Sequence, residues 1–171
     1  MGKESPCLCL WSAVLDEIND NLTDYPLLEH ITDTAGYSDL IFTLFDLLGK
    51  VYAPRLWDIE DQRLCKIKLK EWAFTQLKFT ATVNIEYIRK HWDDLLSLAA
   101  SIKTGTVSAS LFTSKLQAYP RQSNLIYVLQ AYSLLIKTIF ICRYLLELPL
   151  RRKINTQLIK GGQLHNLRLY L

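Results

Sequence analysis

Between Leu125 and Leu148 the chain is so apolar that the fate of this one stretch sets the architecture around it. About 20 largely apolar residues are enough to cross a bilayer, so the stretch is either a membrane span or a helix buried in a protein core. Lys137 near its middle and Arg143 near its end decide against the span, because a charge held at mid-membrane is costly. The expectation is a buried helix, with the Lys137 ammonium reaching out at one edge on its long aliphatic stem. Half of the 171 residues are hydrophobic, which is enough for one core and most simply one domain.

A second feature concerns chemistry. Pro26-Leu27-Leu28-Glu29-His30-Ile31 reads as a short buried strand introduced by proline, while Leu40, Ile41, Leu44, Phe45, Leu47 and Leu48 recur at helical spacing. Gly49 stands where a left-handed helix terminus belongs. Asp33 therefore falls at the carboxyl end of a strand, just before a helix that Thr34 or Ser38 could cap. A lone carboxylate at such a place is either a metal ligand or itself a helix cap, and the spacing does not separate the two.

The remaining segments follow the same rules. Ala13 to Asp24 is acidic and polar and reads as a connector, with a turn at Asn19-Asp20-Asn21. Val51-Tyr52-Ala53 is a strand candidate, and Cys65 to Lys70 alternates with period two as a half-exposed strand does. Basic residues interleave with aromatics from Arg55 to Lys78, a pattern that suits either a phosphate-tracking surface or a solvated strand face. Ile85 to Ile102 is a helix with Asn84 as cap and Ile85, Ile88, Trp92, Leu95, Leu96 and Ala99 on one face, ended by Lys103-Thr104-Gly105. Thr106 to Ala118 is a further helix, broken off by Pro120.

Composition excludes little beyond this. A net charge of +3 is too small to diagnose a nucleic-acid partner. Cys7, Cys9, Cys65 and Cys142 have no zinc-like spacing and do not form a secreted disulfide framework, so a reducing cytoplasm is the default. The first ten residues make a poor signal peptide. His30, His91 and His165 are scattered without ligand spacing, and Asp39, Asp93 and Asp94 read as helix-surface or capping acids.

Several motifs in order carry more than any one. His30-Ile31-Thr32-Asp33-Thr34-Ala35-Gly36-Tyr37-Ser38-Asp39-Leu40, Ala53-Pro54-Arg55-Leu56-Trp57-Asp58, His91-Trp92-Asp93-Asp94-Leu95-Leu96, Lys115 through Gln122 and Ile136-Lys137-Thr138-Ile139-Phe140 together resemble the catalytic domain of the Tn-three family of replicative bacterial transposases. The resemblance runs over about residues 13 to 171 and leaves 1 to 12 as an unrelated lead-in. It implies a ribonuclease-H-like α/β domain of the DDE type, in which three carboxylates hold two divalent metals, magnesium above all, for DNA cleavage and strand transfer. Asp33 matches the second of those acids, and so is the candidate catalytic and metal-binding residue. The first belongs to a strand upstream of this chain, so that the domain is expected to be partial, a truncated fragment with a remnant of the sheet and a helix-rich C-terminal part.

The third acid is where the sequence departs from the family. Lys160-Gly161-Gly162-Gln163-Leu164-His165 resembles the C-terminal catalytic helix, and Gly162 stands where the glutamate following Lys-Gly belongs. No Asp or Glu occurs anywhere after Glu147. One acid of three predicts a catalytically dead chain, since catalytic groups that act as a unit are strongly non-additive when removed. The resemblance also points Arg55, Arg63, Lys103, Lys115, Arg121 and Lys160 at transposon-end DNA, against the alternative of plain surface charge. The function expected is that of a transposase fragment in the bacterial cytoplasm, away from membranes. The alternative is a non-catalytic remnant that binds transposon ends or an intact transposase and interferes with it, and a third is a product that never accumulates folded.

Overall fold

The structure is a computed structural model that describes residues 6–20, 27–33, 39–56, 59, 62–67, 79–118 and 124–169. In chain order these form α1 (Pro6–Asn19), β1 (Glu29–Thr32), α2 (Asp39–Leu47), β2 (Val51–Pro54), β3 (Leu64–Ile67), β4 (Phe79–Val83), α3 (Ile85–Lys90), α4 (Trp92–Lys103), α5 (Ala109–Ala118), α6 (Asn124–Leu146) and α7 (Leu148–Leu169). The fold is a mixed α/β arrangement, rich in helix, with two small parallel sheets: β1 beside β2, and β3 beside β4.

The apolar stretch singled out first is α6, and it is the hub. Its Val128, Leu129 and Ile141 are fully buried, and it packs against α2, α3, α4, α7, β3 and β4. Among the described residues it is the one helix long and apolar enough to cross a membrane by length and composition. Its polar groups, however, are matched inside the protein. Thr43 and Ser133 share a hydrogen bond of 2.8 Å, the Tyr132 hydroxyl donates to Asp46 at 2.5 Å, and Thr138 accepts from the Cys65 backbone N–H at 3.0 Å. Burial and the Asp46 carboxylate both push the Tyr132 hydroxyl pKa upward, which keeps it a donor.

Lys137 does not reach out of this helix as expected. Its side chain is only 7% exposed, and its ammonium donates to Asp39 Oδ1 at 2.7 Å. Asp39, expected to be a surface or capping acid, is the first residue of α2 and the partner of that lysine. The charge is thus met by a carboxylate from the neighbouring helix rather than by water.

Helix α2 buries an unbroken run from Leu40 to Phe45, more than one stripe, because α6 covers one side and the β1–β2 sheet another. It ends at Gly49, which has φ +69°, as the sequence indicated. A Cβ there meets nothing within 4 Å, so Gly49→Ala should cost only the left-handed backbone penalty, about 1 kcal/mol. A urea titration that showed no loss would contradict that conformation.

Three local expectations are corrected. Over Ala13 to Asn19 the acidic stretch is not a connector but part of α1, and Asn21 to Asp24 lie outside the described residues. Asp16 on that helix accepts hydrogen bonds from the backbone N–H groups of Ala109 and Ser110, at 2.5 and 3.0 Å, and so caps α5 from a distance. The helix expected from Ile85 to Ile102 is two, α3 and α4, separated at His91. The buried face of α4 is therefore Leu95, Leu98, Ala99 and Ile102, while Trp92 and Leu96 are exposed. Asn84 caps α3 as expected, accepting from the Tyr87 N–H. The helix expected from Thr106 starts at Ala109.

Candidate active site

The site is built on the parallel pair β1 and β2. In register, Ile31 lies opposite Ala53 and Thr32 opposite Pro54, and the Arg55 N–H then donates to the Thr32 carbonyl at 2.8 Å. Parallel strands finish at the same end, so the residues that follow them, Asp33 and Arg55, come out side by side. The carboxyl ends of parallel strands are where open α/β folds place their ligands.

The platform beneath is aromatic. The His30 ring stacks on Phe45 with centroids 5.7 Å apart and on Tyr52 at 6.3 Å. Phe42 meets Tyr52 edge-on at 5.0 Å, and the Thr32 hydroxyl lies 3.3 Å from that of Tyr52. Burial holds the His30 pKa below its ordinary value and so favours the neutral ring.

Asp33 faces Arg55, with Arg55 Nη2 at 2.8 Å and Nε at 3.1 Å from its Oδ1. The Asp33 side chain is 60% exposed and that of Arg55 33%, so solvent screens the pair and its net contribution to stability is at most about 1 kcal/mol. Its consequence is orientation of the carboxylate. Helix α2 starts at Asp39. Thr34 and Ser38, the expected caps, lie outside the described residues.

The third wall is α7, fastened to β1 by an ion pair between Lys153 and Glu29. A groove of about 400 Å³ is lined by Ile31, Asp33 and Arg55 from the sheet and by Gln157, Leu158, Ile159, Gly161 and Gly162 from α7. Asp33 and Gly162 thus share one groove, although they lie far apart in sequence. Both glycines are exposed within the helix, and a Cβ on either meets nothing within 4 Å. No close approach demands glycine at position 162, and a larger side chain fits.

The other expected site residues are dispersed. Lys160 is exposed on α7, within the same turn as Gly161 and Gly162. Arg63 is exposed just before β3, Lys103 is exposed in the last turn of α4, and Lys115 is exposed on α5. None of these four lines the groove, and Arg121 lies outside the described residues. His165 is exposed further along α7. The groove residues that sequence reasoning passed over are Gln157, Leu158 and Ile159. Their signal was the helical spacing of 157, 158, 161 and 162, which places them along one side of α7.

Among the described residues, no group of three or more His, Cys, Asp or Glu side chains could hold a metal ion. Among its described residues the groove offers one carboxylate, already facing a guanidinium. Hard divalent ions need several oxygen ligands, so these residues do not fit the two-metal cage of a DDE enzyme. Cys65 and Cys142 are free thiols whose pKa values burial raises, and neither lines the groove.

Asp33 and position 162 line one groove, and whole-chain comparison shows the family. The family model described as the Tn3 transposase DDE domain matches residues 12–171. The chain belongs to that family. It is 43% identical over 150 residues to the transposase for transposon Tn21 of Escherichia coli, covering 86% of this chain and 15% of that protein. It is 43% identical over 155 residues to the transposase for transposon Tn1546 of Enterococcus faecium, covering 90% of this chain and 16% of that one. The transposase for transposon gamma-delta of Escherichia coli K12 is 31% identical over 153 residues, 89% of this chain and 15% of its own length. The Tn3-family chain thus spans about 15% of the length of the relatives it matches.

Proposed function

We propose that this chain is a segment of a Tn3-type DNA transposase domain, of ribonuclease-H-like architecture, in which the groove between Asp33 and Gly162 is a silenced catalytic site. Residues 13–171 form the domain segment, with 1–12 as lead-in. Asp33 is the surviving second acid, and Gly162 occupies the place of the third. The ancestral chemistry is metal-dependent DNA cleavage and strand transfer, which requires oxygen ligands on two ions about 4 Å apart. With Gly162 in the place of the third acid, the ligand set of that cage is incomplete, and the expected outcome is a site that does not cleave DNA.

The observation that carries this reading is the shared groove: Asp33 on one wall, Gly162 on the other, with open space where a side chain at 162 would go. If the groove is an acid site with one acid removed, Gly162→Glu restores a pair of carboxylates. The natural chain should show no saturable Mn2+ binding below about 1 mM, and the Gly162→Glu variant should bind measurably tighter, by a factor of about ten. Isothermal titration checks this. Equal binding by both chains would contradict the assignment of position 162. The variant should also be slightly more stable, since glycine inside a helix costs about 1 kcal/mol relative to better helix formers.

The residual role is binding, in the bacterial cytoplasm, to transposon-end DNA or to an intact transposase. Helix α7 supports the DNA reading: Arg152 and Lys160 are exposed on it and its sequence holds no acidic residue, a charge pattern suited to a phosphate backbone. Arg55, Arg63, Lys103, Lys115, Arg121 and Lys160 are the proposed contacts.

A further inference from the structure

We infer that α7 is a recognition helix whose outward face lies in the major groove of duplex DNA, with Asn155, Gln163 and Asn166 reading base edges and Arg152 and Lys160 on the flanking phosphates. The inference deepens the proposed DNA reading and rests on it.

Helix α7 is fixed to the body through its first half. Ile154 is fully buried, Leu150 and Leu158 pack against the core, and Lys153 is paired with Glu29 of β1. From Ile159 to Asn166 every residue is exposed, so this end of the helix stands clear of the described body. On the side opposite Ile154, positions 152, 155, 159, 163 and 166 recur at spacings of three and four and form one exposed stripe, with Lys160 beside it. Its one apolar residue is Ile159. A helix that docks in a protein groove presents apolar anchors at that spacing, whereas this stripe presents amides between cations, on a helix whose sequence holds no acid. From position 152 to 166 the rise is about 21 Å, and an α-helix with its side chains is about 10–12 Å across. That width matches the major groove, about 12 Å wide. An amide side chain donates and accepts at once, so it can pair with both N6 and N7 of adenine, a combination displayed only in the major groove. The exposed cations take phosphates on either side, and no carboxylate on the helix repels them. Charge complementarity thus names duplex DNA as the occupant.

The experiment is a fluorescence-anisotropy titration of the full chain, its folding established by circular dichroism, against labelled duplexes. One carries a Tn3-type transposon end, one is a scramble of the same composition, and one is the transposon end with 7-deazaadenine for adenine, which removes the major-groove N7 acceptor and leaves the minor-groove edge unchanged. The natural chain should prefer the transposon end to the scramble and lose about tenfold in affinity on the 7-deazaadenine duplex. The variant combining Asn155→Ala, Gln163→Ala and Asn166→Ala should bind the transposon end at least about tenfold more weakly and no longer distinguish the three duplexes. Lys160→Ala should weaken binding to all of them and lower the slope of log affinity against log salt by about one. All four positions are exposed, so these substitutions leave the fold in place. DNA binding that is unchanged in the alanine variants, or indifferent to 7-deazaadenine, would overturn the inference and leave the DNA reading standing. No binding to any duplex at low salt would overturn both.

Discussion

Phe45→Ala is expected to destabilise the chain by about 3–4 kcal/mol, a large share of the roughly 5–15 kcal/mol typical of a folded domain. Phe45 is 1% exposed at the centre of α2, and its ring lies 5.7 Å from that of His30 and 5.2 Å from that of Tyr52. It is therefore the side chain that joins α2 to both strands of the sheet bearing Asp33 and Arg55. Truncation leaves a cavity bounded by two short strands and a helix, none of which can move inward without breaking the β1–β2 register. A urea titration should show the midpoint falling with an unchanged slope. A loss below about 1 kcal/mol would mean that the aromatic platform is not packed as described.

The second large effect concerns the buried ion pair, and it is asymmetric. Asp39→Ala should cost about 2–3 kcal/mol, because it leaves the Lys137 ammonium inside α6 with its carboxylate partner removed. The figure sits at or below the lower end for buried pairs because the Asp39 side chain is 46% exposed, so some water can reach the lysine. Lys137→Met should by contrast be near neutral or stabilising. It replaces a side chain that is 7% exposed with an apolar one of similar length, and Asp39 keeps its solvation at the start of α2. Thermal melts of both variants test the pair. Equal losses in the two would show that the lysine makes a favourable contribution beyond its partner.

The parts of this fold that local pattern controls were readable. The helix ending at Gly49, the Asn84 cap and the apolar hub from Leu125 onward follow from backbone preference, capping chemistry and hydrophobic density. What failed depended on partners remote in sequence. Asp16 looked like one acid in a polar connector because the N–H groups it caps belong to Ala109 and Ser110. Lys137 was expected to reach water because its partner Asp39 stands on another helix. The break at His91 has neither Gly nor Pro to announce it, and without it the phase of Trp92 and Leu96 was misassigned. Strand β4 alternates Phe79, Ala81 and Val83 with exposed threonines, a signal that was present and went unused. For the candidate site, spacing alone left Asp33 ambiguous between cap and ligand. Its pairing with position 162 came from family resemblance, and the shared groove is consistent with it.

The most direct test of the proposed silencing is a cleavage assay with Mg2+ and a duplex carrying Tn3-type transposon ends, run beside a filter-binding measurement that shows the DNA is engaged. The natural chain should leave the duplex intact at every Mg2+ concentration, and Asp33→Ala should be indistinguishable from it. Nicking that requires Mg2+ and disappears in Asp33→Ala would contradict the account, because it would mean that the groove still assembles a working metal site without an acid at Gly162.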